Sequence, residues 1–389
     1  MNITSRDTRH IVVSVLILTG IGTVMVYSST ALMSMRQYGS SLHYLWKHIF
    51  TVLVGTAAMI ALSRTDYRRL RAAVYVLLAG SLILLALVFV PDIGVVANGA
   101  RRWIRLWPTT FQPSELAKVV MVIFLADYMD RNIHRMREFK HGILIPVGVM
   151  VVFQGIILLQ PDFGAVVSLG ILTVALLILG GARLNHIGAL VLFSLPAVYL
   201  IISTSAYRLK RLTCFTEPWK DPFGCGFQLV QSFIAFGNGR FFGVGLGDSR
   251  QKLYFLPEVH TDFIFSLIGE ELGLVGALTV LGLFVWLFIK GVHVARRTEE
   301  PFSYFLTLGL SMMIGVQAII NFAVSTGLMP TKGLPLPFIS YGGSSLLVNM
   351  AAVGILINIS SRNEKIPAGR VSYANNNLSH RVSYMKRRR

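Results

Sequence analysis

The stretch Leu256-Pro257-Glu258-Val259-His260-Thr261-Asp262-Phe263 places three ionisable side chains, Glu258, His260 and Asp262, on alternate positions just before a long apolar run. A carboxylate at the mouth of an apolar helix is costly to place and usually has a task. It can take the proton from an attacking hydroxyl. Two more carboxylates stand at the starts of apolar runs. Glu115 lies three residues before Lys118, and Asp162 lies between Pro161 and Phe163-Gly164. Arg101, Arg102, Arg105 and Lys332 supply cations that would suit a phosphate or diphosphate. Together these side chains could run a group transfer in which a base frees a nucleophile and cations receive an anionic leaving group.

The elements that must position them are membrane helices. Of the 389 residues, 54% are apolar and only 14% charged, where a soluble domain has about a quarter charged. The mean hydropathy is +0.63. A spanning helix needs roughly 20 apolar residues. Ten such stretches are read at about 11–33, 46–63, 72–90, 114–129, 142–160, 162–181, 185–205, 262–290, 303–327 and 341–360. The fourth is the weakest, because Glu115, Lys118 and Asp127 interrupt it. The apolar run of the first is too long for a cleaved signal peptide. The expected fold is an all-α polytopic bundle of about ten transmembrane helices, residues 11–362, with a short N-terminal segment 1–10. A long loop, 206–261, joins helices 7 and 8. The polar, basic tail 363–389 cannot bury enough apolar area to fold alone.

Orientation follows from the positive-inside rule. With the N-terminus inside, 22 of the 36 Lys and Arg residues fall on inner segments and 14 on outer ones. Both termini are then expected in the cytoplasm. The net charge of +18 is chiefly a topology signal. No basic face with stacking aromatics on a soluble fold is present, so nucleic acid is not an expected partner.

With that topology every polar motif opens outward: the connection carrying Arg101, Arg102 and Glu115, the Gln160-Pro161-Asp162 turn, the 206–261 loop, and the connection carrying Lys332 and Ser340. No nucleoside triphosphate is supplied there. An outer-face transferase must use a substrate that arrives activated, and a lipid-linked diphosphate sugar meets that condition. Each residue also has a plainer role open to it. Glu115 and Lys118 could be a structural ion pair, Asp162 and Asp262 N-caps, His260 a hydrogen-bonded loop histidine, and Glu258 a shaper of the loop. Glu270 and Glu271, deeper in the eighth span, could pack or act. Gln228, Gln231, Ser232 and Ala235 share one face of a short amphipathic helix that would line a sugar groove or lie on the bilayer. Gly243-Val244-Gly245-Leu246-Gly247 has no preceding strand and reads as a glycine turn, not a nucleotide loop. Cys214 and Cys225, eleven residues apart in the outer loop, lie where disulfides can form. The sequence leaves open whether they meet.

Six motifs carry a family resemblance: Gly99-Ala100-Arg101-Arg102-Trp103, Gln112-Pro113-Ser114-Glu115-Leu116-Ala117-Lys118, Gln160-Pro161-Asp162-Phe163-Gly164, Leu256-Pro257-Glu258 with His260-Thr261-Asp262-Phe263, Gly269-Glu270-Glu271-Leu272-Gly273, and Ser340-Tyr341-Gly342-Gly343-Ser344-Ser345. The chain resembles the bacterial SEDS family (shape, elongation, division and sporulation) over about 11–362. Pro330-Thr331-Lys332-Gly333, Asp221-Pro222-Phe223-Gly224 and the tail are most like its division branch. The resemblance implies a peptidoglycan glycosyltransferase in the cytoplasmic membrane at the septum that polymerises lipid II. It implies that Asp262 is catalytic and that Glu115, Lys118, Asp162 and Lys332 line the cavity. It further implies a divalent cation (magnesium or manganese), a class B penicillin-binding protein as partner transpeptidase, and other membrane proteins of the divisome. A lipid II flippase, a non-catalytic scaffold, and an elongation or sporulation paralogue of the same family are the competing expectations. A flippase should carry polar groups along the whole path, and a scaffold should tolerate loss of Asp262.

Overall fold

The computed structural model describes residues 6–97, 99–106, 109–249 and 260–363. Glu258 and nearly all of the tail lie outside these. The helices are α1 (Arg6–Tyr38), α2 (His43–Arg64), α3 (Arg68–Ala72), α4 (Val74–Leu87), α5 (Pro113–Arg131), α6 (Ile145–Leu159), α7 (Phe163–Leu179), α8 (Leu184–Ser203), α9 (Ala206–Thr216), α10 (Phe227–Gly239), α11 (Ile264–Arg296), α12 (Pro301–Ser325) and α13 (Gly343–Asn363). One of them falls on each apolar stretch of the sequence. Among the described residues seven helices are long and apolar enough to cross a membrane, α6 being one of them together with the π-helical turn Lys140–Leu144 before it, whereas α4 and α7 are shorter apolar helices.

The charged span α5 is the centre of the bundle. It packs on α4, α7, α12 and α13, and nearly every residue from Pro113 to Met129 is buried. Its charges are tolerated because each meets a partner inside the protein instead of lipid. At the opposite extreme, α8 keeps most of its apolar side chains exposed and buries only Ile187, as a helix facing acyl chains would.

The all-α bundle is accompanied by one small sheet. Between α4 and α5 a three-stranded antiparallel sheet forms, in the order β1 (Gly94–Ala97), β2 (Ala100–Leu106), β3 (Thr109–Phe111). Ile104 pairs with Gly94 on one side and Phe111 on the other. Gly99, in the β1–β2 connection, has φ +74. An Asn-Gly pair between short runs is a strong hairpin signal.

The long loop after α8 is also built. It holds α9 and α10, tied by a disulfide between Cys214 and Cys225 whose Cα atoms are 5.8 Å apart. In α10 the buried face is Leu229, Val230, Gln231, Ser232 and Ala235. Ser232 Oγ lies 2.5 Å from Ser266 Oγ and donates to the Ser325 carbonyl at 2.6 Å. The face expected to line a groove or meet the bilayer is therefore packed on α11 and α12, because its small side chains allow close approach.

The glycine loop explains itself in the same region. Helix α11 breaks at Gly273, where φ is +67 and ψ −166. The loop supplies what the break exposes. Val244 N and Gly245 N donate to the carbonyls of Glu270 and Glu271 at 3.0 and 3.1 Å, and Leu274 N and Val275 N donate to Arg240 and Phe241 at 2.9 and 3.2 Å. Backbone polar groups freed within a membrane must be paired by protein. A side chain at Gly243 or Gly273 would collide with this backbone.

Ion pairs gather at one end of the bundle. Asp7 meets Lys290 at 3.3 Å and Arg297 at 3.1 Å, Asp127 meets Arg71 at 3.1 Å and Arg131 at 2.8 Å, and Glu300 meets Arg68. The carboxylates singled out for chemistry, Glu115, Asp162 and Asp262, lie at the opposite end.

Candidate active site

The N-terminus of α5 is the hub of that end. Pro113 at its first position suits a helix start. Gln112 Nε2 donates to Asp162 Oδ2 at 2.9 Å and Ser114 Oγ to the same oxygen at 3.4 Å. Asp162 Oδ1 accepts from Ala165 N at 3.1 Å. Asp162 is thus the N-cap of α7 and at the same time the pin between α5 and α7. Arg102 on β2 donates to the carbonyls of Gln160 and Pro161 at 3.3 and 2.6 Å, which fixes the turn leading into Asp162. Arg101, next to it, is exposed.

One turn further in, Lys118 Nζ lies 2.7 Å from Glu115 Oε1, with each side chain only 3% exposed. Lys118 also donates to Gln317 Oε1 at 3.3 Å. Gln317 Nε2 in turn donates to the Pro335 carbonyl at 3.0 Å and Ser345 Oγ at 2.8 Å. The pair is joined through Gln317 to the connection between α12 and α13.

That connection, residues 326–342, holds the segment before α11. Tyr341 N donates to the His260 carbonyl at 2.8 Å, and Ser340 Oγ donates to the Thr261 carbonyl at 2.5 Å while accepting from Leu336 N at 2.8 Å. Asn321 Nδ2 donates to the carbonyls of Asp262 and Leu334 at 2.9 and 2.8 Å. Ser340 therefore acts on the backbone, and Asp262 is held by its own backbone with its carboxylate facing Gly333. A Cβ at Gly333 would lie 3.2 Å from Asp262 Oδ2. Lys332 is the next residue back. Its ammonium sits 5.5 Å from the centre of the Phe163 ring, and the Arg208 guanidinium of α9 approaches that ring at 6.0 Å. Arg211 Nη1 donates to the Thr331 carbonyl at 3.1 Å. Burial lowers the Lys332 pKa below the ordinary lysine value. A cation in such a place gains from an anion brought to it.

The structure sets the backbone of His260, Thr261 and Asp262 against the connection that carries Lys332, Gly333 and Ser340; it joins Glu115 and Lys118 to the same connection through Gln317 and ties Asp162 to the start of α5. Gln231 is buried on α10. Gln317 and Asn321 are the residues that motif reading missed. The signal for them is plain in retrospect: two amides four apart on an otherwise apolar span share one helix face, and polar side chains in a membrane helix face the protein interior.

Among the described residues no three His, Cys, Asp or Glu side chains gather as a resident metal would need, and Asp162 and Glu115 already accept hydrogen bonds from their neighbours. A cation held by so few carboxylates would need substrate phosphates to complete its ligand shell. Magnesium is commonly held that way, by one or two carboxylates and substrate phosphates.

Fold and site together define a polytopic helical membrane protein with a carboxylate and cations at one end. The family model described as a cell cycle protein, FtsW/RodA/SpoVE, matches residues 9–365, and the chain belongs to that family. It is 43% identical over 350 residues to a probable peptidoglycan glycosyltransferase FtsW of Geobacter sulfurreducens, covering 90% of this chain and 94% of the relative. It is 42% identical over 358 residues to the protein of the same description from Coxiella burnetii, covering 91% and 96%. Solved structures are similar to it as well. One, from work on the structural coordination of polymerization and crosslinking by a peptidoglycan synthase complex, has a TM-score of 0.75 at 29% identity, covering 91% of this chain and 97% of the other. Another, the rod shape determining protein RodA of Thermus thermophilus, has a TM-score of 0.66 at 26% identity, covering 91% and 96%.

Proposed function

We propose that this chain is a peptidoglycan glycosyltransferase that polymerises lipid II at the outer face of the cytoplasmic membrane during septal wall synthesis. The Asp262 carboxylate takes the proton of the acceptor sugar's 4-hydroxyl as that oxygen bonds to the anomeric carbon of the donor. The bond from that carbon to the diphosphate breaks, and undecaprenyl diphosphate leaves with the electron pair. Lys332 meets the charge that develops on the diphosphate, the kind of electrostatic stabilisation that carries much of catalysis. Glu115, Lys118 and Asp162 hold the neighbouring helices in place. A magnesium or manganese ion ligated by Asp262 and the substrate phosphates would offset the same charge.

The observation that carries this reading is the Asp262 carboxylate set against Gly333, the residue next to Lys332, in a chain 42–43% identical over nine-tenths of its length to proteins described as probable peptidoglycan glycosyltransferases. The likeness to a chain from a peptidoglycan synthase complex that coordinates polymerization and crosslinking supports a crosslinking partner, in this reading a class B penicillin-binding protein with other divisome membrane proteins around it. Both termini lie in the cytoplasm in this reading, supported by the Lys and Arg count and by the ion pairs at the end opposite the site. Purified protein with its partner transpeptidase, given lipid II, tests it. Asp262→Asn keeps the shape but cannot accept the proton and should lose about 10²–10⁴-fold in polymerisation. Parental rates in that variant would favour a scaffold or flippase.

A further inference from the structure

The outer end carries an array of rings that the proposed chemistry does not use. Tyr38 closes α1 and stacks on His43 at the start of α2, centroids 3.9 Å apart and planes 16° from parallel. Tyr44 meets Tyr38 edge-on at 5.8 Å. On its other side Tyr44 lies 6.4 Å from the His260 ring and 5.6 Å from that of Tyr341. His260 and Tyr341 are themselves 5.8 Å apart. The rings form a continuous path from the open end of α1 to a point two residues from Asp262.

We propose that the rings of Tyr38, His43, Tyr44, His260 and Tyr341 form a glycan-binding platform that holds the uncharged sugar chain leading to or from Asp262. The apolar face of a pyranose ring matches an aromatic face. Tyr38 offers one, since a single face is stacked on His43 and 52% of the residue remains exposed. Hydroxyls that bind sugars stand beside it, such as Tyr44 Oη, which donates to Gln37 Oε1 at 2.8 Å. Aromatics also collect at membrane interfaces as lipid-facing belts. Here, however, the rings contact one another, one pair stacked and the others edge-on or tilted, and they reach His260 on the segment that carries Asp262, where Tyr341 N is bonded to the His260 backbone. A polymerase must keep hold of a growing strand between additions, and a ladder of rings beside the base would do so. The inference rests on the reading of Asp262 as the site of glycosyl transfer.

The test uses the full-length protein in detergent and a tetramer of N-acetylglucosamine as probe, read by saturation-transfer NMR. The parent and Tyr38→Phe should transfer saturation to the sugar ring protons. Tyr38→Ala should bind about two- to tenfold more weakly, the usual effect of deleting one aromatic contact. With lipid II and the partner present, Tyr38→Ala should also make shorter strands than Tyr38→Phe. Tyr38 is exposed at a helix end, so the variant should fold, and an unchanged thermal midpoint checks this. Equal transfer in Tyr38→Ala and the parent overturns the platform, as does absence of transfer in a parent that polymerises lipid II. Transfer abolished by glycerol phosphate but not by excess unlabelled glycan overturns it in favour of a lipid headgroup. A parent that binds the tetramer yet never polymerises lipid II upholds the platform and removes the glycosyltransferase reading instead.

Discussion

Asn321, buried in α12, donates through its amide to the backbone carbonyl of Asp262 at 2.9 Å and to that of Leu334 at 2.8 Å. One side chain thus fixes both the segment with the proposed base and the connection with Lys332. In Asn321→Leu both carbonyls lose their donor, and each buried unsatisfied group costs about 1–3 kcal/mol. The variant should unfold at lower temperature and polymerise lipid II more slowly. A parental melting curve together with a parental rate would show that the amide is dispensable.

Gly333 allows a gentler test of the same arrangement. Alanine there places a methyl 3.2 Å from Asp262 Oδ2, so the carboxylate must shift by a few tenths of an ångström. Gly333→Ala should leave stability within about 0.5 kcal/mol and still lower the polymerisation rate, because catalytic groups must be held to within about 0.5 Å of their productive geometry. Thermal denaturation and initial rates on the same preparation would separate the two effects.

Glu115 and Lys118 should behave as a unit. Removing either partner strands a buried charge, which costs about 3–5 kcal/mol. Glu115→Ala and Lys118→Ala should each impair folding or activity, and the double variant should lose less than the sum. Strict additivity in a double-mutant cycle would contradict the 2.7 Å contact.

Lys332 predicts a pH dependence. Burial holds its pKa below the ordinary lysine value, so between the folded and unfolded pKa values the unfolded chain binds more protons. This residue's contribution to stability therefore rises with pH across that window. The charge available to a diphosphate does the opposite and is lost as pH rises through the lowered pKa. Polymerisation should show an alkaline decline that begins below the ordinary lysine pKa of about 10.4. Lys332→Arg should move that decline upward, because a guanidinium stays charged. A pH–rate profile unchanged by the substitution would assign the decline elsewhere.

The disulfide can be read directly. Alkylation of unreduced protein followed by mass spectrometry should find Cys214 and Cys225 joined. Cys214→Ser should destabilise the α9–α10 segment by on the order of 3 kcal/mol in the entropy model. It should also loosen Arg208 and Arg211 from the Phe163 ring and the Thr331 carbonyl they approach, which protease sensitivity of that loop would report.

Much of this molecule was legible in the chain itself. Apolar runs long enough to span a bilayer mark where the helices lie, since no other use of so much apolar surface is available, and the uneven spread of Lys and Arg argues for their sidedness. The motifs around Glu115, Asp162 and Asp262 stand out because charge beside an apolar run is expensive. Other features depended on contacts between segments far apart in sequence. The span that looked weakest, α5, became the core because its charges find partners on other helices. The polar face of α10 turned inward because small side chains let it pack on α11. The glycine loop served the break at Gly273, which only a facing backbone could satisfy. Asn321 and Gln317 became central because the connection between α12 and α13 folds back beneath Asp262. Composition and periodicity report what one segment costs by itself in water or lipid. Which distant segment repays that cost is decided by packing, and only the tertiary structure contains it.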